Sequence, residues 1–81
     1  MTIQKKYALN NLAEAKEAIE ELMRSIETDP EYSDDNLLVD MMHIYWHVNR
    51  AWNGRNFDIE SRELSDEEND AFIQFPSDLP L

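Results

Sequence analysis

The chain has 81 residues, 42% hydrophobic and 31% charged, with 18 acidic against 7 basic side chains and a net charge of −11. That length allows one domain with a small core, and the lack of cysteine excludes disulfides and thiolate zinc sites. A chain this acidic is repelled by nucleic-acid phosphates and by anionic membrane surfaces, so direct binding to either is not expected.

A core of this size contributes only ~3–5 kcal/mol by itself. With disulfides excluded, the sequence points to helix packing reinforced by self-association, and a homodimer is the expected state. No run approaches the ~20 apolar residues of a membrane span, and no signal-like segment opens the chain, so the expected location is the cytoplasm.

Residues 4–27 read as the first helix. Leu12, Ala15, Ile19, Leu22 and Ile26 recur at spacings of three, four, three and four, with Ala8 extending the series backwards and Leu9 and Met23 widening it. The opposite face carries Glu14, Lys16, Glu17, Glu20, Glu21 and Arg24. Thr28-Asp29-Pro30 stops the helix, because the residue before proline is pushed out of the helical region. Ser33 or Asp34 then caps the next one, and so short a connection implies an antiparallel hairpin.

The second helix is expected over residues 34–53. Leu38, Met41, Tyr45, Val48 and Trp52 repeat the same spacing, flanked by Leu37, Ile44 and Ala51, and this face is assigned to the seam of the first helix. Gly54 follows, where a glycine in the left-handed region ends many helices. A second apolar strip, Val39, Met42 and Trp46, lies well away from the first and is the expected partner-binding face. The remaining sector holds Asn36, Asp40, His43, His47 and Arg50. Asp40, His43 and His47 place three ligand types on one face at chelating spacing, so a divalent metal bound by these three is one functional alternative. No other cofactor is implied, and the plainer reading of the pair is solvated histidines near an acidic surface.

Past Arg55 the periodicity fades. Residues 56–60 alternate too briefly to define a strand. Ser65 and Glu68 form a capping box that opens a short helix over residues 65–75, carrying Phe72 and Phe75. The tail, residues 76–81, is expected to dock over the second helix, with Phe72, Phe75, Leu79 and Leu81 covering its second face. Eight acids and one base fall within residues 58–81, which suggests a further alternative: an acidic nucleic-acid mimic that inhibits a basic protein through residues 60–70.

No phosphate-cradling glycine loop, EF-hand or nucleophile triad is present, and the carboxylates sit in solvated runs expected to titrate normally. Catalysis is therefore not expected. The leading reading is a non-catalytic protein–protein interaction module that pairs with itself or with another protein.

Tyr45-x-His47-x-Asn49-x-Ala51-Trp52-Asn53-x-Arg55, followed by Phe75-Pro76-x-Asp78, resembles small bacterial helical-hairpin proteins in which such a string ends the second helix. The resemblance implies a helical hairpin with a docked C-terminal segment, and brings no activity or cofactor. Together these readings give an all-α fold: an antiparallel two-helix hairpin, a short third helix and a docked tail, pairing into a helical bundle.

Overall fold

A computed structural model of the chain describes residues 3–77. Three helices follow in order, α1 (Lys5–Thr28), α2 (Asp34–Asn53) and α3 (Asp66–Phe72), with no strand among the described residues. The fold is all-α, and α1 packs along α2 as an antiparallel hairpin. Expected tail residues Asp78, Leu79 and Leu81 lie outside the described residues.

Local chemistry sets the helix ends. The Asp29 N–H closes α1 onto the Ser25 carbonyl at 2.9 Å, and the Thr28 hydroxyl donates to the Arg24 carbonyl at 2.8 Å. Ser33 caps α2 in a reciprocal box with Asn36, while Asp34 and Asp35 complement the positive end of the helix and Arg50 the negative end. Ser65 and Glu68 make the same box at the start of α3. That helix stops at Phe72, short of the expected residue 75.

The faces that meet in the hairpin differ from those the periodicity suggests. α1 buries Tyr7, Asn11, Ala15 and Leu22, and α2 buries Ile44 and His47. Of the expected α1 seam only Ala15 and Leu22 are covered, while Leu12 and Ile19 stay 48% and 42% exposed. On α2 the expected seam residues Leu38, Tyr45, Val48 and Trp52 are all exposed, and Met41 is half-buried. The small side chains of Ala15, Ala18 and Ser25 give α1 a narrow face, and α2 meets it with Ile44 and with His47 at the edge of its polar sector.

At ~100° per residue, each apolar series is turned by about 100° from its helix's buried face, in the same sense along the chain. Because the helices are antiparallel, both series then emerge on one broad side of the hairpin. Leu9, Leu12, Ile19, Met23 and Ile26 of α1 and Leu37, Leu38, Tyr45, Val48 and Trp52 of α2 form one apolar slab, with Lys16 at its margin.

Gly54 ends α2, but not in the left-handed region: φ is −98° and ψ is 18°, accessible to any residue. What requires glycine is close approach. A Cβ there would overlap the Tyr7 ring edge and stand 2.9 Å from the Arg50 carbonyl and 3.0 Å from the Phe72 ring. Tyr7 packs against Phe57 with ring centroids 5.4 Å apart and against Phe72 at 6.1 Å, so three aromatic rings close the open end of the hairpin. The Gln4 N–H bonds to the Arg55 carbonyl at 2.8 Å and ties the start of α1 to the end of α2.

Between α2 and α3 the chain turns at residues 54–56 and again at 59–61. Asp58 accepts from the Glu60 N–H and the Ser61 hydroxyl, which bends the chain sharply. Arg62 then grips Glu68 through two bonds of 2.6 Å and lies over the Phe57 ring. Beyond α3, Asn49 donates to the Ile73 carbonyl, and Asn53 donates to those of Phe72 and Gln74. These two asparagines satisfy carbonyls that the end of a helix leaves without partners. Phe72 turns into the aromatic cluster, and Phe75, 63% exposed, meets the edge of Tyr45.

The hairpin is elongated, 45 × 25 × 25 Å, with a radius of gyration of 14.6 Å where a compact chain of this length has about 12 Å. It exposes 6333 Å², against about 5,100 Å² for an ordinary monomer of its mass. Among the described residues no large side chain is below 2% exposed.

Candidate functional site

Two features stand out: a polar groove on one broad side of the hairpin, and the apolar slab on the other. The groove begins with a chain of hydrogen bonds. Asn11, buried in α1, donates its amide to the Tyr7 carbonyl one turn back at 3.1 Å. That bond fixes which way the amide points and presents Oδ1 to α2. There it meets His47 Nδ1 at 3.2 Å, with a Glu14 carboxylate oxygen also 3.2 Å from the same nitrogen. Both neighbours accept, so the neutral imidazole carries its proton on Nδ1 and leaves Nε2 unprotonated, able to accept.

His47 Nε2 faces His43 Nε2 at 3.1 Å, with the rings nearly perpendicular. His47 is 7% exposed, whereas His43 is open to solvent. Burial pushes the His47 pKa down; the Glu14 carboxylate opposes this, and His43 and Arg50 add to it. The pair opens into a groove of about 530 Å³ whose other walls include Glu14, Glu17, Glu21 and Asp40. The expected solvated histidine face is thus half wrong: His47 is part of the hairpin interior.

Nor do Asp40, His43 and His47 form the expected three-ligand set. Among the described residues no group of three or more His, Asp or Glu side chains gathers as a metal-binding cluster. Asp40 instead accepts a 2.6 Å hydrogen bond from the Tyr32 hydroxyl, which staples the inter-helix turn to α2. Burial, this bond and the carboxylate charge push the Tyr32 phenol up to about 12.

A smaller cavity of about 340 Å³ lies next to the first, between Asn10, Asn11, Arg50 and Asn69. The Tyr7 hydroxyl is buried beside it without a hydrogen-bond partner among the described residues. Burial raises its pKa, opposed by the Arg50 charge and the Asn11 side chain. Arg50 donates to Asn69 at 2.9 Å and so links α2 to α3. Arg55 lies 4.0 Å above the Trp52 ring and donates to the Trp52 carbonyl.

Of the expected partner-binding strip, Val39 is 68% exposed, and Met42 and Trp46 are exposed by over a third. Among the described residues after α3, Ile73, Gln74 and Phe75 meet α2 at Asn49, Asn53 and Tyr45. The periodicity alone assigns the slab's residues to the hairpin seam rather than to a surface. Expected carboxylate behaviour fails at two positions: the Arg62 pair, aided by the Ser65 cap, takes Glu68 down to about 2, and Ser61 and the local backbone lower Asp58.

Comparison of the chain with family models, with curated proteins and with solved structures finds no match in any of the three.

Proposed function

We propose that the protein is a non-catalytic interaction module that pairs with itself, the slab of one copy covering the slab of another in a four-helix bundle. The observation that carries this reading is the slab's area. Taking about 200 Å² for a large exposed side chain, the exposed fractions of its ten residues amount to roughly 1,000 Å². A stable interface uses about 800 Å² per partner. The excess of exposed surface over an ordinary monomer is of similar size.

A second copy suits this surface because a two-fold pairing is self-complementary, and because two hairpins complete a bundle that one cannot. Val39, Met42 and Trp46 stand on another side of α2 and remain available to a different protein. No described helix is long and apolar enough to cross a membrane.

The test is the molar mass in solution. Sedimentation equilibrium at about 100 μM, well above the ~1 μM Kd of a modest interface, should return the mass of two chains. Ile19→Glu and Val48→Glu should each return one chain with helicity retained, since both positions are exposed in the single hairpin. A single-chain mass for the unaltered protein overturns the reading.

A further inference from the structure

We propose that His43 and His47 bind one divalent first-row transition ion, of the zinc, nickel or copper type, through their two Nε2 atoms in the groove between α1 and α2. The site lies on the side of the hairpin away from the slab, so it is independent of self-association.

Three observations carry it. First, the spacing is that of chelation: two zinc–nitrogen bonds of ~2.05 Å reaching nitrogens 3.1 Å apart enclose about 98°, between square and tetrahedral values. Second, His47 is prepared as a ligand. The Tyr7 carbonyl orients Asn11, and Asn11 Oδ1 and the Glu14 carboxylate hold the proton on Nδ1. Nε2 is therefore the unprotonated nitrogen and faces His43 Nε2, with Nδ1 held in the outer-shell arrangement that supports histidine ligands to metals. Third, the groove favours cations: Glu14, Glu17, Glu21 and Asp40 line it, and no Lys or Arg among the described residues does.

Imidazole pairs select nitrogen-seeking ions, whereas carboxylates alone would favour magnesium or calcium. With two protein ligands, the open positions are filled by water or by a groove carboxylate. The competing account is an N–H···N hydrogen bond between two neutral rings, with no role beyond holding the helices together.

The experiment is a titration of the tag-free, full-length protein with zinc chloride, read by calorimetry and by the imidazole nitrogen shifts in NMR. The proposal expects one ion per chain, both Nε2 resonances moving together, and no displacement by excess magnesium. His43→Gln should weaken binding by about tenfold or more, since loss of even an outer-shell partner costs that much. His43 is solvent-exposed, so this variant keeps the fold, and a circular dichroism spectrum confirms it. His47→Gln serves as a second variant where it folds. Absence of binding, binding unchanged in His43→Gln, or displacement by magnesium each overturns the proposal.

Discussion

Gly54→Ala separates two explanations for the glycine that ends α2. If glycine were needed for a left-handed backbone, alanine would cost energy through φ alone. Here φ is −98°, so the backbone accepts alanine, and the smaller entropy of the unfolded chain would favour it by ~0.4–1 kcal/mol. The cost comes from the methyl group, which meets the Tyr7 ring edge, the Arg50 carbonyl and the Phe72 ring at once. Overpacking of this kind costs ~1–3 kcal/mol. For a domain of this size about 2 kcal/mol lowers Tm by roughly 8–16 °C. The assay is thermal unfolding at fixed protein concentration, since association makes Tm concentration-dependent. Tyr7→Ala in the Gly54→Ala background should recover part of the loss specific to the added methyl, leaving the Arg50 carbonyl contact. A Tm that rises in Gly54→Ala, or a methyl cost unchanged once Tyr7 is truncated, refutes the steric account.

Asn53→Asp removes the amide donor that serves the Phe72 and Gln74 carbonyls while keeping the side chain's shape. Losing those bonds should cost about 1–3 kcal/mol and speed hydrogen exchange in α3 while α1 stays protected; unchanged exchange in α3 contradicts the assigned role. The folded-state pKa of Glu68 lies at about 2, below its ordinary 4.5. Its stabilising contribution is therefore fully present above pH 4.5 and is lost as pH falls through 2. Arg62→Gln should flatten that part of an acid-unfolding curve, and an identical curve would show that the pair is not its source. Tyr32 should resist ionisation until about pH 12 in an ultraviolet titration. Asp40→Asn should bring that midpoint down, and a midpoint that does not move removes Asp40 as a cause.

The elements were legible because their ends are written locally. Pro30, the Ser33 and Ser65 caps and the uninterrupted periodicity locate the helices, with α2 matching residues 34–53 and α1 differing by one residue at each end. What covers each face was not legible. Periodicity reports that Leu12, Ile19, Val48 and Trp52 belong to apolar stripes, but not which neighbour meets them. Asn11 and His47 illustrate the same limit from the polar side. Each looks like a surface residue until its partner, 36 positions away, satisfies it in the interior. Phe57, buried in the core, carries no periodic signal because it follows the last periodic segment. Its signal was a large aromatic just past a helix-ending glycine, where the chain turns back on its own core. The histidine pair was visible as a spacing, whereas its tautomer depends on contacts only the fold supplies.

The central claim is that the slab, and not the Val39, Met42 and Trp46 strip, is where two copies meet. Isotope-filtered NMR on a mixture of labelled and unlabelled chains tests it most directly, because it records only contacts between copies. The account predicts inter-chain contacts at Leu12, Ile19, Tyr45 and Val48 and none at Val39. Inter-chain contacts confined to Val39, Met42 and Trp46, or none at any position, would contradict it.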